Sequence, residues 1–404
     1  MPILLKNKNL KSPGIISFTH NEFLYGVINK SHKVRDFLEK TAEKGEWVYG
    51  VHIQGDCSHL AHWPLKKWQS FIMLPNTKDK FISNVPKEFI FPYNCVNFIP
   101  SSEFNFTKSK NWDLCIISRP SEIKRITETL LLVRKILDKK AGVKVIFIVT
   151  DPRKCVQGSK TYKKNSIDEN FFTMPKKIFS SKEMSAIDFI CSSQESFGNF
   201  PLTDNFVNQI LNRSKFLLCL SLSEGGPRVI PESFMVGTPC IVPKNFRSGV
   251  NKYLNNRNTL FVNEDLDLAA SQICNALKKK DSFQPNVKTS RNFFSEKANI
   301  PRLHTFLKKI FKQKKFILEG DFMLHNLANR LACHGQKNNF QIMNSEKLFF
   351  KWLEKAENFN AKIDLFSEED YFFPNGVFID NENYIKSLSV SIKILVYKLI
   401  KRIL

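Results

Sequence analysis

The chain has 404 residues, 42% hydrophobic and 25% charged, enough to bury a full core in about two or three domains, which excludes a disordered or fibrous protein. Its formal net charge of +23, from 61 Lys and Arg against 38 Asp and Glu, points to an anionic partner: nucleotide phosphates, nucleic acid or an acidic membrane face. A composition biased toward Lys, Asn and Phe raises the same number, so the charge alone does not choose a partner.

The amino terminus, MPILLKNKNLKSPGIISF, has no long apolar core and no small-residue cleavage site, and no apolar run reaches the roughly 18 residues of a spanning helix. The nine cysteines are scattered and form no Cys-x-x-Cys pair, as in a reducing compartment. The expected location is therefore cytoplasmic.

Short apolar runs alternate with helical patterns, which predicts an α/β fold with parallel sheets. In a first unit, residues 1–105, GIISF (14–18), EWVYGVHI (46–53), SFIML (70–74) and EFIFPY (88–93) read as strands, and the helix KSHKVRDFLEKTAEKG ends at Gly45. The polar stretch PSSEFNFTKSKN (100–111) breaks the pattern and is the expected linker.

A second unit, residues 106–285, reads as a doubly wound, Rossmann-like domain. DLCIIS (113–118), the amphipathic helix 121–142 and VKVIFIVT (143–150) make one βαβ unit. Further strands follow at AIDFICS (186–192), KFLLCLS (215–221), PCIVP (239–243) and NTLFVN (258–263), with helices around 203–214 and 231–237. Residues 286–404 read as a Lys-rich helical extension.

Two stretches carry chemistry. SLSEGGPRVIPESFMVGTPCIVP (221–243) places Glu224 in a loop at the carboxyl end of a strand and Glu232 in the first turn of the next helix. In an open parallel sheet that edge is where ligands bind. Gly225 and Gly226 let backbone approach a ligand and leave amide donors, and a carboxylate there accepts from paired hydroxyls such as those of ribose or a sugar ring. In SRPSEIKR (118–125), Arg119 and Lys124 flank the first strand-to-helix turn of the same unit, so two cations converge on the same edge as a diphosphate site.

With these two blocks the chain resembles the retaining glycosyltransferases of family 4, also called glycosyl transferases group 1, which have the GT-B fold of two Rossmann-like domains. SRPSEIKR matches that family's GR-x4-KG turn, and SLSEGGPRVIPESFMVGTPCIV matches its S-x2-EG block; the likeness covers about 112–275. The resemblance implies that Arg119 and Lys124 hold the donor diphosphate and that Glu232 binds the ribose hydroxyls. Glu224, with the amides of Gly225 and Gly226, faces the transferred sugar, and Pro227 belongs to the same donor-binding loop. Cys191 and Ser192 lie against the nucleobase. The implied reaction moves a sugar from a nucleotide-diphosphate donor to an acceptor with retention of configuration, in polysaccharide, glycolipid or cell-envelope glycan synthesis.

Two departures set this chain apart. The family's Gly-Gly-x-x-Glu stretch is replaced by FRSGVNKYL, in which only Gly249 remains, and the first unit is short and lacks a Gly-rich loop. The histidine such enzymes often carry in the first domain has four counterparts here, His20, His52, His59 and His62. Cys57, His59 and His62 have spacings a zinc site uses but no fourth ligand, and NEDLDL (263–268) reads as a helix cap, so neither a metal nor another cofactor is expected.

Expected partners are the nucleotide-sugar donor and a glycan or lipid-linked acceptor; nucleic acid is not expected. NYIKSLSVSIKILVYKLIKRIL (383–404) has an apolar stripe from Ile385 to Ile403 with five basic residues on its other faces. It reads either as a brace packed on the protein or as an interfacial helix that would place the enzyme peripherally at the inner membrane face. The competing reading of the whole chain is a non-catalytic nucleic-acid- or membrane-binding protein on a decayed transferase fold.

Overall fold

The computed structural model describes residues 2–54, 57, 59–75, 77–102, 104, 110–118, 122–149, 174–191, 204–320, 322–324, 327–332 and 345–358. They form two α/β domains, each built on its own sheet. The first sheet runs β1 (Ile3–Lys6), β2 (Gly14–Thr19), β3 (Trp47–His52), β4 (Gln69–Met73), β5 (Ile90–Phe91), in that spatial order. β1 is antiparallel to β2 and the other pairs are parallel. Every residue of β2, β3 and β4 is buried, which is why these strands are continuous apolar runs rather than alternating ones. The expected strand 88–93 shrinks to Ile90–Phe91, because a short 3-10 turn, Lys87–Phe89, follows Pro86.

The second sheet has six parallel strands: β6 (Trp112–Ser118), β7 (Val145–Val149), β8 (Ile187–Cys191), β9 (Ser214–Leu218), β11 (Cys240–Pro243) and β13 (Thr259–Val262). A small pair, β10 (Ser223–Glu224) and β12 (Arg247–Ser248), sits beside it. The spatial order is β13-β11-β9-β6-β7-β8, so the chain winds outward one way from β6 and the other way from β9. Such a reversal opens a crevice at the carboxyl ends of the two central strands. Helices Ile126–Lys139 and Leu266–Lys278 share one apolar cluster with this sheet, through Leu130, Val133, Ile136, Ala270 and Ile273. Asp265 caps the second of them, accepting from the backbone N–H of Asp267 and Leu268 at 2.9 Å each, as NEDLDL predicts.

The helical residues after 295 return to the first domain. Helix Glu296–Gln313 packs Leu303, Leu307 and Ile310 into a cluster that also holds Phe71, Phe91 and Phe98. Helix Glu346–Asn358 buries Phe349, Trp352 and Leu353 against Phe18, Tyr49 and Trp68. Arg330, fully buried, donates to the carbonyls of Leu4 and Met323, and Met323 N–H donates to Leu5 O at 2.9 Å, so β1 is held by residues over 300 positions away. Within the expected linker, Phe104 is buried and its carbonyl accepts from Arg291 at 2.5 Å.

No helix among the described residues is long and apolar enough to cross a membrane. The basic segment 383–404 lies outside the described residues.

Candidate functional site

At the reversal between β6 and β9, two loops meet. After β6 the chain enters a 3-10 turn, Glu122–Lys124, and then Arg125, a non-glycine residue at φ 49° that precedes helix Ile126–Lys139. A side chain rarely sits in this left-handed region, and here the strained residue redirects the backbone just after Lys124. After β9 the chain forms β10, where Glu224 pairs with Ser248. Lys124 Nζ and Glu224 Oε2 form an ion pair across the crevice, with side chains 20% and 9% exposed. Cys219 Sγ lies 4.0 Å from Glu224 Oε1, and burial, with Glu224 adding to it, pushes this thiol up to about 11, so it stays protonated.

Arg119 and Ser192 lie outside the described residues, as does the side chain of Cys191. Of the expected diphosphate and sugar ligands, the structure brings together Lys124 and Glu224.

Glu232 lies in helix Val229–Met235 and is 5% exposed. Its Oε1 pairs with Arg228 Nε at 2.5 Å, and Arg228 Nη2 reaches Asp204 Oδ1 at 2.5 Å. Burial pushes the Glu232 carboxyl up to about 7, Arg228 opposes that, and Asp204 reinforces it. Three charges thus share one buried site, with Arg228 serving two acids. Arg228 and Asp204 were not singled out from the sequence. The spacing of Arg228 and Glu232 in RVIPE is a legible signal for a helical i,i+4 pair, whereas Asp204 comes from a different element.

The glycines of the motif sit at the seam between the domains. A Cβ on Gly226 would lie 3.0 Å from Val96 Cγ1 and 3.2 Å from Asn94 Nδ2. One on Gly249 would lie 2.2 Å from Pro75 Cγ and 2.8 Å from the Gly225 carbonyl. Asn94 Nδ2 in turn donates to Ile53 O at 3.3 Å. The carboxyl ends of β3, β4 and β5 therefore face the loops that carry Glu224 and Gly249, and Pro227 is buried.

The four histidines separate. His20 and His52 stand at the ends of β2 and β3, where Thr19 and His52 are register partners. His20 Nδ1 accepts from Gln54 N–H at 3.3 Å, and burial, with His59 contributing, pushes it down to about 4. His52 Nδ1 shares a 2.9 Å hydrogen bond with Ser17 Oγ, and burial holds it well below the usual histidine range. Both rings are neutral at physiological pH. His59 Nε2 pairs with Tyr25 OH at 2.7 Å, and His62 is exposed. No group of three or more His, Cys, Asp or Glu among the described residues gathers as a metal site.

No family model matches the chain, and no curated protein does. Solved structures do. HepE from Anabaena in complex with UDP aligns with a TM-score of 0.50 at 12% identity, over 69% of this chain and 77% of that one. Sucrose-phosphate synthase from Thermosynechococcus elongatus aligns at 0.49 and 10% identity, over 68% and 70%. TarM aligns at 0.45 and 12% identity, over 65% of this chain and 50% of that one, so the chain spans half the length of TarM. At these identities the likeness is one of fold, and the HepE alignment carries it: two Rossmann-like domains in the GT-B arrangement, the first of them small.

Proposed function

We propose that the protein is a glycosyltransferase of the GT-B type. It would transfer a sugar from a nucleotide-diphosphate donor to a glycan or lipid-linked acceptor with retention of configuration. The observation that carries this reading is the ion pair of Lys124 and Glu224 across the crevice of the second sheet, opposite the carboxyl edge of the first. A HepE structure of the same fold holds UDP, which supports a nucleotide at this crevice.

In this reading Lys124, with Arg119, offsets the charge that grows on the departing diphosphate, a role in which fixed cations in a partly dry cleft are effective. No metal or other cofactor is assigned a part. Glu224 holds Lys124 in place and accepts from the transferred sugar's hydroxyls, together with the amides of Gly225 and Gly226 in the loop that ends at Pro227. Glu232, held by Arg228, accepts from the ribose, and the loop at Cys191 and Ser192 lies against the base. Retention follows from the acceptor attacking on the face the diphosphate leaves, with no covalent protein intermediate. Such an enzyme works where nucleotide sugars are made, in the cytoplasm, with the basic segment 383–404 available for an anionic membrane surface.

The test is to incubate the full chain with UDP-, GDP- and ADP-sugars, follow nucleotide release, and read the anomeric configuration of the product by proton NMR. A retained product with no glycosyl adduct in the protein's mass spectrum supports the proposal. An inverted product, an adduct on Glu224 or Glu232, or no turnover with any donor contradicts it.

A further inference from the structure

A cavity of about 390 Å³, lined by neither Lys124 nor Glu224, opens between the end of β5 and helix Glu296–Gln313. Phe91 and Pro92 line it from the sheet, and Arg302, Thr305, Phe306 and Lys309 from one face of the helix. Its floor is aromatic, with Phe91 and Phe306 ring centroids 5.1 Å apart. Its rim is cationic. The Arg302 guanidinium lies 5.8 Å from the Tyr93 ring centroid and is fixed by Asn299 Oδ1 and Asn292 O at 2.7 and 2.8 Å.

The second domain adds Lys252, whose ammonium lies 5.8 Å from the Tyr93 centroid and 5.0 Å from that of Tyr253, and donates to Pro92 O at 3.5 Å. Cation–π contact holds such a charge in place without neutralising it. No carboxylate lines the cavity, and among the described residues neither Lys309, which lines it, nor Lys252, which stands beside it on the Pro92 carbonyl, is ion-paired. The volume suits a ligand of one or two rings.

We infer that this cavity binds an anionic sugar residue of the acceptor glycan, its acid group between Lys252 and Lys309 and the apolar face of its ring on the aromatic floor. Charge-assisted hydrogen bonds supply the selectivity for the acid, and aromatic rings supply contact area for the C–H face of a pyranose. Placement argues for the acceptor: Tyr93 directly precedes Asn94, which packs on Gly226, and Lys252 follows Gly249, which packs on Gly225. The cavity therefore lies along the domain seam that leads to Glu224. This assignment of an acceptor rests on the transferase reading.

The experiment is calorimetric titration of the full chain and of a Lys252→Gln/Lys309→Gln variant with four probes. These are a uronic-acid tetrasaccharide, its carboxyl-reduced neutral counterpart, phosphatidylglycerol vesicles and UDP. The expected result is that the acidic tetrasaccharide binds the native chain at least about tenfold tighter than either the neutral one binds it or the variant binds the acid, with UDP affinity unchanged by the substitutions. Absence of binding by the acidic tetrasaccharide overturns the inference, as does equal binding of the neutral one, equal binding by the variant, or a dependence on Lys252 and Lys309 seen for vesicles alone. Acidic-glycan binding in a protein that binds no nucleotide would leave the cavity assigned and defeat the transferase reading instead.

Discussion

Lys124 and Glu224, one hundred positions apart in the chain, close an ion pair where the strand order of the second sheet reverses. Neither side chain is well solvated, so removing one partner leaves the other charge uncompensated. Lys124→Met is expected to lower stability by about 1–3 kcal/mol, and adding Glu224→Gln to recover most of it. Urea denaturation of the four members of this cycle measures the coupling, and additive effects would show that the two side chains do not depend on each other.

The buried site of Asp204, Arg228 and Glu232 makes stability depend on pH. The folded state holds the Glu232 proton up to about 7 against an ordinary value of 4.5. Folded protein then binds more protons than unfolded protein between those values, so Glu232 weakens the fold as pH rises through that window and has no further effect above it. Glu232→Gln should therefore gain on the native chain by up to about 3 kcal/mol between pH 5 and pH 8. Thermal melts of both proteins across that range check it, and a constant difference would contradict it.

Gly249 and Gly226 differ in what surrounds them, and substitution should reveal it. Gly249→Ala places a methyl against Pro75 and the Gly225 backbone, which forces the seam to move and should cost about 1–3 kcal/mol. Gly226→Ala meets the side chains of Val96 and Asn94 at 3.0 and 3.2 Å, which give by a few tenths of an ångström, so its loss should be smaller. Denaturation midpoints, with small-angle scattering to detect a wider domain separation, distinguish the two. Equal losses would argue against a tight seam at Gly249.

Trp352 tests whether the returning helix belongs to the first domain's core. It is 3% exposed in a cluster with Phe18, Tyr49 and Trp68, and Trp352→Ala should cost about 3–5 kcal/mol. A loss below about 1 kcal/mol in a urea titration would mean that helix Glu346–Asn358 contributes little to the domain.

The second domain was legible because its strands are buried on both faces and read as unbroken apolar runs between helices, and because Lys124, Glu224 and Glu232 sit at the strand and helix ends their motifs predict. β1 was not read as a strand: ILLK is short, and its neighbours Met323 and Arg330 come from the far end of the chain. Gly226 is legible as a site of close backbone approach and Gly249 only as a retained position of the family pattern, but what approaches them is not, since the contacts of Gly226 with Asn94 and of Gly249 with Pro75 join distant segments. Arg228 carried a helical-spacing signal toward Glu232, while its second partner Asp204 emerges only when helix Asp204–Asn212 is placed beside Val229–Met235.

In the proposed reaction the crevice at Lys124 holds a nucleoside diphosphate. Calorimetric titration of UDP, GDP and ADP into the full chain and into Lys124→Ala tests it most directly. One charged hydrogen bond to phosphate is worth about 1.5–3 kcal/mol, so at least one of the three nucleotides should bind the native chain, and roughly 10- to 100-fold more weakly to the variant. Failure of all three to bind, or an affinity that Lys124→Ala leaves unchanged, would contradict the assignment.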